Sequence, residues 1–504
     1  MRDQRREHRH PALPNPACLH PVCAISRQLA PPDARQSFMH LMCIQPTTAE
    51  SAKIAFMKYS ISHSDTFVHT CRLALLALLF AVPFAVAQPA MSEYALIGYS
   101  EPATHNRVAR LEAALAKGEV KLESHGERGY LDSLLKALDI DPHSQTLVFS
   151  KTSLQYPLIS TQTPRAVFFN DDTYIGWVQH STIVEVLTID ARLGSVFYVF
   201  HNAAKGMGFE ASSQRCIVCH DSTGATGGGI PLVMARSSIY NMNDINLREV
   251  SGIGNVNDRT PISERWGGWY VSGLQGGQTH LGNIRLQSAE ELPRLNAFLK
   301  GNMATLEGQH LFDTSPYPTP TSDIVALMTL EHQLAIQNQL TYIKFKAPAV
   351  LMRNKLDSSI EATKWAEIPQ QGQRALTRML DELVGWMLFK EAAVFDAPIE
   401  GSAGFRDSFL ARGPRDGAGR SLRDFDLQTR LFRYPLSYLI YSEAFDALPA
   451  YASDYVYQKL AGVLEGRDND PRFAYLTAAQ RQDTLAILRD TKPAIVPYLS
   501  PPGG

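Results

Sequence analysis

Hydrophobic and polar positions alternate in three different rhythms along the chain. "NRVARLEAALAKG" and "GYLDSLLKALDI" place apolar residues three and four apart and end near glycine or aspartate, which predicts two short amphipathic helices. The period then falls to two. "AVFFNDDTYIGWV" reads as a hairpin turning at Asn170 to Asp172, "STIVEVLTI" alternates strictly, and "SVFYVFH" follows an "ARLG" turn. Asp171 and Asp172 are adjacent carboxylates, but a turn explains them without invoking acid–base chemistry.

Beyond about residue 320 the helical period returns. "SDIVALMTLEHQLAIQNQLTYIKF" predicts a helix opened by Ser322 or Asp323. Four more amphipathic stretches follow: "QRALTRMLDELVGWMLFKEA", "LQTRLFRYPLSYLIYSEAFDAL", "SDYVYQKLAGVL" and "TAAQRQDTLAILRD". Between them, "RGPRDGAGRSLRDFD" reads as a flexible, solvated basic loop. The expected fold class is mixed α+β: helices and a small β-meander over 88–212, a distinct segment over 213–300, and a mainly helical domain over 301–504. No repeat, phosphate-binding glycine loop or nucleophile elbow is present.

Composition narrows the function classes. The 504 residues are 45% hydrophobic and 19% charged, as in ordinary globular chains, and a formal charge of −2 gives no basis for nucleic-acid binding. From Met57 the pattern is that of an export signal. Lys58 and Arg72 supply the positive region, Leu73 to Phe84 the apolar one, and Ala85-Val86-Ala87 the cleavage site, giving a leader over 57–87. The apolar run is shorter than the ~20 residues that span a bilayer, so a cleaved leader and a periplasmic or otherwise exported product are expected. Residues 1–56 then read as an upstream extension outside the translated or folded protein. Their Cys18, His20, Cys23 and Cys43 lack the spacing of a zinc site.

With Cys71 inside the leader, only Cys216 and Cys219 belong to the mature chain, too few for a disulfide scaffold. They stand in "SQRCIVCHDSTGATGGGIPLVM", three apart, with His220 directly after. A zinc site would need four ligands, and no second pair exists to complete one. A redox dithiol would have no use for the trailing histidine. Covalent haem attachment uses all three: two thiols for the vinyl groups and an imidazole for the iron.

The segment resembles c-type cytochromes over about residues 210 to 290, through this pentapeptide and the glycine-rich Gly-x-Pro stretch after it. The resemblance implies one covalent haem c, thioether-linked at Cys216 and Cys219, with His220 as the proximal ligand and a cytochrome c-like segment around it. Candidates for the distal position are His280, Met234, Met242 and, on the apolar stripe of the predicted helix, His332; His201 lies just upstream. Trp266, Trp269 and Tyr270 are candidate crevice residues, and Arg265 or Arg285 candidate propionate partners. A single-haem carrier needs a domain of only roughly 100 residues. The surplus chain leaves three functions open: an electron carrier with a redox partner protein, a haem enzyme acting on a small molecule, or a scaffold with structural haem.

Overall fold

The strands form first where the period is two. In the computed structural model β1 (Thr146–Val148), β2 (Arg165–Phe169), β3 (Thr173–Trp177), β4 (Ile183–Asp190), β5 (Gly194–His201) and β6 (Gly208–Ala211) follow one another antiparallel. The structure describes residues 93–202, 206–211, 213–222, 229–249, 255–356 and 364–501. The leader, the upstream cysteines and the glycine-rich residues 223–228 lie outside the described residues. All described residues belong to one unit, Ala87–Gly504.

The hairpin between β2 and β3 closes where expected. Asn170 Oδ1 accepts from the backbone N–H groups of Asp172 and Thr173, a side-chain-built turn. Asp171 and Asp172 point to different partners, Arg423 and Arg107, so they do not act as a pair.

Further strands are short: β7 (Ala235–Arg236), β8 (Ser238–Asn241), β9 (Asn246–Glu249), β10 (Asn255–Val256), β11 (Trp269–Tyr270) and β12 (Arg285–Leu286). One of them changes the expected domain layout. β11 pairs with β1 and becomes the edge of the main sheet, in the order β11-β1-β2-β3-β4-β5-β6. The regions expected in series at 88–212 and 213–300 therefore share one sheet. Within 213–300 the described chain is mostly short strands and turns around one α-helix.

Alternation gives the sheet two buried faces. Ala166, Phe168, Ile175, Trp177, Val184, Val186, Tyr198 and Phe200 point to one core. The helices α2 (Arg107–Ala116) and α3 (Leu131–Ala137), which follow a short α1 (Glu93–Leu96), close that face with Val108, Leu111, Leu131 and Leu134. The opposite face carries Val148, Phe169, Tyr174, Ile189 and Trp269 into a second core. The motif helix α4 (Ser213–His220) lies on that second face, against β5, through its His220 ring on Phe197.

The 30-residue helix α5 (Ile324–Arg353) builds the second core. Asp323 caps it by accepting from the N–H groups of Val325 and Ala326. Gln333 and Gln337 donate to the carbonyls of Asn170 and Asp171, fastening the helix to the hairpin turn. The helices α6 (Gln370–Met387), α7 (Ala403–Leu410), α8 (Glu443–Asp446), α9 (Ala450–Leu464) and α10 (Ala478–Thr491) complete the helical C-terminal part. No helix among the described residues is long and apolar enough to cross a membrane.

Two expectations for this part are corrected. Residues 427–437 are not helical: Asp426 Oδ1 accepts from the N–H groups of Gln428 and Thr429, a local turn that competes with helix, and Pro435 follows. The basic loop is not free either. Arg415 pairs with Asp424, Arg420 with Asp416 and Asp483, and buried Arg423 with Asp171. The Arg423 guanidinium also stacks on Phe409 and Tyr438.

Candidate haem-attachment site

One helical turn sets the geometry of the pentapeptide. Cys216 and Cys219 are three apart on α4, hence on one side of it, and neither forms a disulfide. Cys219 is exposed and Cys216 half-buried.

His220 ends the helix with its ring against Phe197 of β5, centroids 4.6 Å apart. Its Nδ1 lies 2.7 Å from the Leu232 carbonyl oxygen. A carbonyl only accepts, so Nδ1 carries the proton and Nε2 keeps a lone pair. The Leu232 N–H returns a bond to the His220 carbonyl at 2.9 Å, so the residue after Pro231 is tied to the histidine twice. Burial holds the imidazole below its usual pKa; the Leu232 bond and Glu185 oppose this, and Arg165 and Arg236 add to it. The result is a neutral histidine whose Nε2 has no hydrogen-bond partner among the described residues.

The sheet surface beside it is polar in one place. Glu185 sits opposite Gly176 on β3 and Val199 on β5, while Phe197 is two residues from Val199 on the same face. Arg165 pairs with Glu185 at 2.8 Å. The Glu185 carboxylate also receives Ser153 Oγ and the Leu154 N–H, which lays the 153–158 segment over this face. Leu154, Tyr156 and Leu158 keep exposed side chains there, and Val218, between the two cysteines, is 73% exposed.

The other expected site residues are distributed differently. His280 is buried beside Trp266, ring centroids 5.1 Å apart. Its Nδ1 accepts from the Gly282 N–H at 3.0 Å, so the proton sits on Nε2, the reverse of His220. Burial alone takes its pKa down to about 4. In the structure it is a buried histidine held in its own turn. His332 is likewise enclosed: Nδ1 meets Asp258 Oδ2 and Nε2 meets Ser437 Oγ, each at 2.9 Å, leaving no nitrogen for a metal. His201 pairs with Glu210 at the sheet edge.

Met242 is exposed in the β8–β9 turn, where its N–H bonds Leu286. Met234 stays near the motif, two residues past Leu232, with its sulfur 3.9 Å from an Arg236 nitrogen.

The aromatic trio divides. Trp269 faces the motif side of the sheet and donates Nε1–H to the Arg236 carbonyl at 2.7 Å. Tyr270 points into the opposite core and donates to the Thr161 carbonyl, and Trp266 packs on His280. Arg265 is committed to buried Glu331 at 2.8 Å and to two backbone carbonyls, so it cannot serve a propionate. Among the described residues the Arg285 guanidinium reaches the Leu311 carbonyl, at 3.5 Å.

Phe197, Leu232, Arg165 and Glu185 were not expected at the site. The one sequence signal for any of them was the Gly-x-Pro turn that precedes Leu232. Among the described residues no group of three or more His, Cys, Asp or Glu side chains could hold a bare metal ion. A haem iron makes a smaller demand on the chain, because the porphyrin supplies its equatorial ligands and the protein only the axial ones. No protein-family model matches the chain, and comparison with curated proteins and with solved structures returned no match.

Proposed function

We propose that this is an exported, periplasmic monohaem c-type protein that passes single electrons to a redox partner protein. The observation that carries the reading is the tautomer of His220, a neutral imidazole whose Nε2 has no hydrogen-bond partner among the described residues, at the end of the turn that presents two cysteines. That is the state an axial ligand needs, and the backbone carbonyl behind it is the type of partner that fixes ligating histidines. A redox dithiol would draw no benefit from it, and a zinc clamp would need further ligands that are not grouped there among the described residues.

When bound, haem c supplies a one-electron couple at its iron. The chain's own residues do the rest. The Cys216 and Cys219 thiols would hold the group covalently, Leu232 and Phe197 orient His220, and the apolar side chains of Leu154, Tyr156 and Val218 are exposed to solvent, where a partner can approach. Met234, two residues past Leu232, is the preferred distal candidate.

The test is maturation in a bacterial periplasm equipped to attach haem. Wild type is expected to carry one covalent haem with a low-spin spectrum, and Met234→Ala to become high-spin. Covalent haem retained in the Cys216→Ser, Cys219→Ser double variant would overturn the assignment.

A further inference from the structure

Next to His220 the sheet presents an arginine whose bonding is incomplete. Arg165 on β2 and Glu185 on β4 are separated by β3, whose residue between them is Gly176. A side chain there would collide with the arginine: a Cβ on Gly176 would lie 2.7 Å from Arg165 Cζ. The missing side chain lets the guanidinium lie flat across the strand toward Glu185.

The pair is not self-contained. Arg165 Nε is buried and donates to nothing among the described residues, although a buried unpaired donor is costly. Gln155, only 3% exposed and hydrogen-bonded to Glu185, also keeps a buried, unpaired Oε1. Arg236 lies on the same side, with the carbonyl of its own backbone held by Trp269. Its guanidinium forms no ion pair among the described residues, its nearest polar contact being the Met234 sulfur. Two guanidiniums and one carboxylate leave a net positive charge beside the motif histidine, the arrangement that receives a carboxylate.

We infer that Arg165 anchors a propionate carboxylate of the haem, with Glu185 and Gly176 setting the guanidinium's place and Arg236 adding a second positive charge. This deepens the haem reading and rests on it. Arg165 and Glu185 are positioning residues: they touch the cofactor's periphery and act on the iron through the field they create. A fixed cation near the ring disfavours the oxidised, more positive iron, so it raises the reduction potential, and a carboxylate lowers it.

Equilibrium redox titration of the haem-loaded full chain tests this in three variants. Arg165→Gln is expected to lower the midpoint potential, Arg165→Lys to recover most of the loss, and Glu185→Gln to move the potential upward. Opposite signs are the discriminating feature, because loosening of the sheet would shift both neutralising variants the same way. Equal potentials in wild type and Arg165→Gln, or same-sign shifts in Arg165→Gln and Glu185→Gln, overturn the anchor while leaving the haem reading intact. Absence of covalent haem in wild type overturns both.

Discussion

The buried pair of Arg265 and Glu331 makes the stability of this fold depend on pH in a calculable way. Both side chains are almost wholly enclosed, at 3% and 2% exposure, and bonded at 2.8 Å. Burial pushes the Glu331 carboxyl from an ordinary 4.5 up to about 7, against the pull of Arg265. A folded carboxyl that keeps its proton to higher pH than the unfolded one makes the native state bind more protons over that interval. Its contribution is fully present below about 4.5 and is lost as pH rises through about 7. Each pH unit of separation is worth about 1.4 kcal/mol, so the loss is about 3 kcal/mol. Glu331→Gln keeps a hydrogen-bond acceptor for Arg265 and removes the titration. Urea unfolding of both proteins at pH 4.5 and pH 8 measures it. The stability difference between the two pH values is expected to be more destabilising at pH 8 in wild type by about 3 kcal/mol than in the variant. An identical pH dependence in the two proteins would show that the unfolded and folded carboxyls titrate alike, and the reasoning would fail.

Two further outcomes follow from the same packing. Phe197→Ala removes a buried aromatic that supports His220, so a loss of about 3–5 kcal/mol by chemical denaturation is expected; a loss under about 1 kcal/mol would mean that the ring is not a platform. Asp258, His332 and Ser437 have the hydrogen-bond order of a hydrolase triad, yet His332 and Ser437 are fully buried. Ser437→Ala is expected to cost about 1–3 kcal/mol through the unpaired imidazole nitrogen, and a serine-directed phosphonate is expected to leave wild type unlabelled; labelling would refute the structural role.

What was legible in the sequence depended on how local its cause is. The hairpin at Asn170, the strict alternation of β4 and the cap at Asp323 each arise within a few residues, and each is found where the pattern puts it. The spacing of Cys216, Cys219 and His220 is equally local. The surroundings of the motif are not. Arg165 and Glu185 are ordinary alternation positions until strand register sets them on one face with Phe197. His280 is a ligand candidate by residue type, and the N–H two residues away that occupies its Nδ1 is visible only in the folded turn. The stretch at 427–437 had helical spacing, but the Asp426 carboxylate captured the backbone donors first. The basic loop looked solvated because its acids, Asp171 and Asp483, are remote in sequence.

The β2–β3 turn has a consequence for the order of assembly. The hairpin closes on its own residues, but its two carboxylates wait for partners at very different distances along the chain: Arg107 is 65 residues behind Asp172, and Arg423 is 252 ahead of Asp171. Contacts of such separation form late, because the entropy of closing the loop comes before any gain from the contact. The strand meander can therefore form early, with a buried-to-be acidic tip still in water. The tip is neutralised from one side when the N-terminal helix docks, and from the other only once the chain beyond residue 420 is in place. Neutralisation of Asp171 is thus a late step, and a chain truncated before Arg423 would keep the hairpin but leave that carboxylate without its arginine.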